Sequence, residues 1–240
     1  MKIIEKFRAW QAAPFTVRQP VLAFLGDSVT HGCFETFMTG DKMECEMHPD
    51  KVYHEKVRSI LATLYPEVPV TVVNGGISGD YAAHAKERLD RDILFCAPDL
   101  VVVCFGLNDA TRGEKGLPEF SSALTEIFTR VRASGAEAIF LTPNLRTEKL
   151  DSPFSWEILN KTALQVAENE KAGWLKKYTD AAREVCRKEQ VPVCDCQKLW
   201  ETLKAADVDI NRLLANRINH PTADMHWMFA YELVKTMFEA

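Results

Sequence analysis

Five short runs of β-branched and other apolar residues punctuate the chain: Val21–Leu25, Val70–Val73, Leu100–Phe105, Ala138–Thr142 and Val191–Val193. Their apolar residues are continuous instead of alternating, the pattern of strands covered on both faces. Between them lie stretches with apolar residues three or four apart, which predict helices over about Val52–Leu64, Tyr81–Phe95 and Pro118–Ala133. A longer stretch, from about Trp156 to Lys188, repeats Trp156, Leu159, Ala163, Val166, Trp174, Tyr178, Ala181 and Val185 at helical spacing, with Gly173 as a candidate break. A last helix is predicted over about Ala223–Phe238, with Met225, Met228, Phe229, Leu233 and Met237 on one face and Thr222 placed to cap it.

Strands that alternate with helices along the whole chain predict an α/β fold: a three-layer α/β/α sandwich around a five-stranded parallel sheet with right-handed crossovers. No repeat and no Pro/Gly/Ser-rich linker divides the sequence, so residues 1–240 read as a single domain. In such sheets ligands bind beyond the carboxyl ends of the strands, which directs attention to the loops that follow them.

Composition narrows the partners. The 240 residues are 47% apolar and 26% charged, with 29 Lys and Arg against 34 Asp and Glu, a formal charge of −5. That sign argues against nucleic acid or an anionic membrane surface and in favour of a small neutral substrate. No apolar run approaches the about 20 residues that cross a bilayer, so no membrane insertion is expected. Glu5, Lys6 and Arg8 interrupt the N-terminal stretch where a signal peptide would be apolar. Seven cysteines, at 33, 45, 96, 104, 186, 194 and 196, are an odd number in a chain long enough to need no cross-links, and they read as reduced thiols of a cytoplasmic protein. Cys194 and Cys196 are too close together for a CxxC motif, and no Cys/His pairs have zinc-ligand spacing, so no metal is expected.

Four loops carry the candidate chemistry. Gly26-Asp27-Ser28-Val29-Thr30-His31-Gly32 follows the first strand, and a serine there can sit at a helix N-terminus that favours a developing oxyanion. A turn capped by Ser28 or Asp27 is the bland alternative. Asn74-Gly75-Gly76-Ile77-Ser78-Gly79-Asp80 follows the second strand and lets backbone N–H groups approach a ligand, without the GxGxxG spacing of a dinucleotide loop. Gly106-Leu107-Asn108-Asp109 follows the third strand, where the Asn108 amide could donate to an oxyanion without adding charge. Asn216-Arg217-Ile218-Asn219-His220-Pro221-Thr222 precedes the last helix, and His220 is the natural general base for a serine. The histidines at 31, 48, 54, 84 and 226 read as surface or packing residues, and Asp27 and Asp109 as loop scaffold.

Together the four segments resemble the four blocks of the SGNH hydrolases, the GDSL-type esterases and lipases. GDS carries Ser28, the Ser-Gly pair carries Gly79, GxND carries Asn108 and HP carries His220, and their order holds from residue 26 to residue 230. The resemblance implies a flavodoxin-like three-layer fold and acyl transfer in two steps. Ser28 would be the nucleophile, His220 the base, and the Ser28 and Gly79 N–H groups with the Asn108 side chain the oxyanion hole. No cofactor is implied.

One departure stands out. The family usually has an aspartate three residues before the histidine, and here that residue is Arg217, which cannot accept the imidazole N–H. Candidate replacements are the backbone carbonyl at Arg217, the side chains of Asn216 and Asn219, and Asp195; the reading favours a Ser28–His220 dyad oriented by a backbone carbonyl. The substrate reading is a small ester, an acetylated carbohydrate or a short-chain ester. The alternatives are a lysophospholipase- or thioesterase-like lipid acylhydrolase, a metal-dependent phosphoesterase, for which paired ligand motifs are missing, and a binding module that has lost hydrolysis. Residues Glu35–Asp50, with Phe37, Met38, Met43 and Met47, and Asn144–Phe154, with Arg146, are expected to wall the site.

Overall fold

In chain order the elements of the computed structural model, which describes residues 1–240, are α1 (Lys2–Ala12), β1 (Val21–Gly26), α2 (Ser28–His31), β2 (Cys33–Thr39), β3 (Lys42–Met47), α3 (Tyr53–Leu64) and β4 (Thr71–Gly76). They continue with α4 (Ala82–Asp92), β5 (Leu100–Cys104), α5 (Gly113–Ala133), β6 (Glu137–Leu141), α6 (Glu157–Lys171), α7 (Trp174–Glu189), β7 (Val193–Cys194), α8 (Cys196–Ala205) and α9 (His226–Glu239).

The five apolar runs supply one parallel sheet in the order β4-β1-β5-β6-β7. Every residue of β1 and β5 is buried, as their unbroken apolar sequence requires. Helices α1, α3, α8 and α9 pack together over one face, and α4, α5 and α7 over the other. The chain leaves β1 for β4 on one side and then returns to β5 on the other. This reversal opens a crevice at the carboxyl ends of β1 and β5, where loops 26–32 and 106–109 emerge.

Gly173, at φ +71°, divides the long helical stretch into α6 and α7. Four features depart from the sequence expectation. The segment expected to form a loop wall is an antiparallel β2–β3 hairpin with an irregularity between Cys33 and Thr36. Helix α1 buries Ile3, Ile4 and Phe7, and α8 buries Cys196, Gln197 and Trp200; these short stripes are too brief to dominate a periodicity. Thr222 does not cap the last helix, which begins four residues later at His226; the Thr222 N–H donates instead to the Leu213 carbonyl.

Candidate active site

Ser28 is the first residue of α2, a single turn that Asp27 caps by accepting the Val29 N–H at 3.0 Å. Its side chain meets a histidine 192 residues away: Ser28 Oγ and His220 Nε2 are 2.9 Å apart, and both residues are buried. His220 rides on a tight loop whose shape is fixed by Asn216. The Asn216 Oδ1 accepts the N–H groups of Ile218 at 3.0 Å, Asn219 at 2.9 Å and His220 at 2.9 Å. Within this turn Arg217 takes a left-handed φ of +54°.

The other imidazole nitrogen, Nδ1, lies 2.9 Å from the backbone carbonyl of Phe34 in β2. A carbonyl only accepts, so Nδ1 carries the proton and Nε2 presents its lone pair to the Ser28 hydroxyl. Burial lowers the His220 pKa from 6.5 to about 4, against a smaller upward pull from the Phe34 carbonyl.

The four candidate orienters are therefore placed elsewhere. The Arg217 carbonyl is not the acceptor, and the guanidinium turns outward to donate to Ser152 Oγ at 2.6 Å while lying 4.2 Å from the centre of the Phe154 ring. The Asn216 amide is occupied by the loop N–H groups, by Asn219 Oδ1, which accepts from its Nδ2 at 2.9 Å, and by Thr36 Oγ1 at 3.2 Å, not by the imidazole. Asp195 caps α8 and is held by Arg183, because it follows β7 at the far side of the sheet from β1. A backbone carbonyl does face Nδ1, but it belongs to the β2–β3 hairpin and not to the histidine loop.

Gly79 and Asn108 line the same cavity of about 210 Å³ as Ser28 and His220. Gly79 has φ +78°, a conformation that suits glycine and lets the loop turn against the nucleophile. The preceding Ser78 N–H donates to His31 Nδ1 at 3.2 Å, so His31 is a loop anchor. Gly76 lets β4 pack against the backbone after Ser28: a Cβ there would lie 2.2 Å from the His31 backbone nitrogen. Asn108 Nδ2 donates one hydrogen to the Asp80 carbonyl at 2.8 Å, which leaves its second hydrogen for a ligand.

Two buried arginines hold these loops, and Arg88 gives no signal in local sequence. Arg88 in α4 donates to the Gly26 carbonyl at 3.1 Å and the Gly75 carbonyl at 2.7 Å, and pairs with the buried Asp80 carboxylate. Arg146, expected in a wall of the site, does line the cavity that holds Ser28 and His220, and its guanidinium is bonded to Glu170, Asn169 and the Leu107 carbonyl, next to Asn108. Asp109 likewise pins loops, accepting the N–H groups of Ala82 and Gly106 at 3.0 Å each. Burial raises both Asp27 and Asp109 to about 7. His226, whose Nδ1 accepts the Tyr53 N–H, is a core residue. No group of three or more His, Cys, Asp or Glu residues is arranged to hold a metal ion.

Residues 24–228 match the GDSL-like lipase/acylhydrolase family. The chain belongs to that family. Among curated relatives, an acetylxylan esterase of Geobacillus stearothermophilus is 33% identical over 100 residues, which are 38% of this chain and 40% of that one. An arylesterase of Vibrio mimicus is 35% identical over 74 residues, 30% of this chain and 36% of that one. The aligned segments thus span well under half of each relative. In three dimensions the fold is similar to an acetylxylan esterase from Geobacillus stearothermophilus, with a TM-score of 0.66 and 21% identity over 91% of this chain and 94% of that one. It is also similar to a gut microbial diltiazem-metabolizing enzyme, with a TM-score of 0.67 and 22% identity over 93% of this chain and 48% of that one. Catalytic variants of that acetylxylan esterase replace a serine in one case and an aspartate in another.

Proposed function

We propose that this GDSL-family chain is a serine esterase that cleaves a small carboxylic ester, an acetylated carbohydrate or a short-chain ester, through an acyl-serine intermediate. The observation that carries this reading is the 2.9 Å contact between Ser28 Oγ and the unprotonated Nε2 of a buried, neutral His220. Ser28 Oγ attacks the ester carbonyl carbon while His220 takes its proton; the proton then passes to the departing alcohol, leaving acyl-Ser28. Water repeats the attack with the same base, releasing the acid and restoring the serine. The N–H groups of Ser28 and Gly79 and the free Asn108 hydrogen are the donors for the tetrahedral oxyanion.

Cavity size supports a small substrate. About 210 Å³, lined by apolar Leu107, Val166 and Ile218 and by polar Thr36, Ser78 and Asn219, suits a short acyl group beside a hydroxyl-bearing alcohol better than a long lipid chain. The acetylxylan esterase among the relatives points the same way. No helix is long and apolar enough to cross a membrane. A single catalytic domain in the cytoplasm completes the proposal; the cysteines, all unpaired, suit a reducing compartment.

Labelling with a fluorophosphonate tests the nucleophile: a stoichiometric adduct on Ser28, lost in Ser28→Ala together with esterase activity, is expected. An unlabelled Ser28 would instead favour the binding module. A chain-length series of p-nitrophenyl esters beside acetylated sugars tests the substrate class, and a maximum at long acyl chains would overturn it.

A further inference from the structure

His220 depends on an acceptor that is not part of its own loop. The Phe34 carbonyl and the His220 ring are 186 residues apart in sequence and meet through one hydrogen bond of 2.9 Å. One such bond biases a geometry only roughly 2- to 12-fold. Something must hold strand β2 and the histidine loop in register.

Asn216 spans that gap. Its Oδ1 is fully used by the three N–H groups of the histidine loop, while its Nδ2 donates to Asn219 Oδ1 at 2.9 Å and across to Thr36 Oγ1 at 3.2 Å. Thr36 lies in β2, two residues beyond Phe34. One buried amide is thus bonded both to the segment carrying the base and to the strand carrying the acceptor of that base.

We propose that the Asn216–Thr36 bridge is the positioning device that stands in for the missing aspartate, by locking the His220 loop to the strand whose carbonyl orients the ring. An aspartate on the histidine loop would bring its own acceptor to the ring; here the acceptor is on the hairpin, and the bridge keeps it there. Asn216 and Thr36 also line the Ser28 cavity, but as positioning residues they act on the imidazole through the loop and the strand, an effect read in kcat and the acid limb, whereas a lost substrate contact alone would raise KM. The inference rests on the Ser28–His220 reading of the site.

Burial and the Phe34 carbonyl set the protonation of His220. The ionisable neighbour that senses its charge is His226, itself lowered to about 3 by burial. Loosening the bridge admits water to the ring and raises the pKa of His220 toward its ordinary value.

The experiment compares Thr36→Val, Thr36→Ser, Asn216→Ala and the Thr36→Val/Asn216→Ala double variant with wild type and with His220→Ala, using p-nitrophenyl acetate. Thr36→Val is expected to lower kcat roughly 3- to 10-fold, the loss of about one hydrogen bond, and to move the acid limb of kcat/KM upward. Thr36→Ser, which keeps the hydroxyl, recovers most of that loss. The double variant should be no slower than Asn216→Ala alone, because the bridge is already broken. Thr36→Val with wild-type kcat and an unmoved acid limb would overturn the bridge, as would independent, multiplying effects in the double variant. Thr36→Val and Thr36→Ser decide the matter even if Asn216→Ala does not fold. An active His220→Ala would instead refute the catalytic reading, while an inactive His220→Ala beside an unaffected Thr36→Val refutes the bridge alone.

Discussion

The pH dependence of the reaction follows from how His220 is buried. A histidine beside a carboxylate is pulled toward its charged form; here no carboxylate contributes, and burial brings the pKa from 6.5 to about 4. That gap corresponds to about 3 kcal/mol against the imidazolium. At pH 5.5 an ordinary histidine is only about one-tenth neutral, whereas His220 remains almost wholly so, a difference of about tenfold in competent base. The acid limb of kcat/KM, which reports the free enzyme, is therefore expected near pH 4. Initial rates of acetate release from a soluble acetate ester between pH 3.5 and 8 measure it. The same burial links to stability. The folded-state pKa lies below the unfolded one, so the contribution is complete above pH 6.5 and is lost as pH falls through about 4. Loss of activity in that window must be separated from unfolding by returning each sample to pH 7 and by circular dichroism. A limb centred at 6.5 in folded protein would refute the argument that a desolvated histidine without a carboxylate sets the rate.

Asp27 has the opposite sign: its pKa is raised by burial to about 7, so stability is present below about 3.8 and lost as pH rises to 7. The Tm of Asp27→Asn relative to wild type is accordingly expected to increase between pH 4 and 7, and a flat difference would contradict the burial argument. Asn108→Ala removes one oxyanion donor and should cut kcat by about 10²- to 10³-fold with a much smaller change in KM; a pure KM effect would place Asn108 in ground-state binding. Arg88→Met leaves the buried Asp80 without its guanidinium and strips two strand-end carbonyls of their donor, so denaturant titration should show a loss of about 3–5 kcal/mol. Cys45 is lowered to about 6, chiefly by the neighbouring Cys33 thiol, and should be the first cysteine alkylated by iodoacetamide at pH 7, as read by peptide mass mapping.

The scaffold was legible because its physics is local. Strands covered on both faces are apolar throughout, as β1 and β5 are, and once the sheet is inferred the loops holding Ser28, Gly79, Asn108 and His220 must emerge at one edge. The geometry gathers those four around one cavity. The supporting parts were not legible, because their bonds join residues that are distant in the chain. Arg88 looks like an ordinary surface charge until α4 brings it beneath the strand ends, and the sequence places Arg146 in a wall of the site without revealing its bond to the Leu107 carbonyl. The hairpin hides because its residues are mostly half-buried or exposed, and no one face of β2 and β3 is consistently apolar. Its contribution to His220 is a peptide carbonyl, and no side-chain pattern encodes that.

That carbonyl has a consequence for how such a site changes over time. A side-chain acceptor can be deleted by one codon, but the Phe34 oxygen survives every substitution at its own position. Alanine scanning would pass over residue 34 and record at most a packing effect. Replacing the 34–35 amide with an ester by chemical synthesis would expose its role, since an ester carbonyl is a weaker acceptor. The acceptor that faces His220 is thus inherited with the strand itself, and drift in the sequence can reach it only by moving the hairpin.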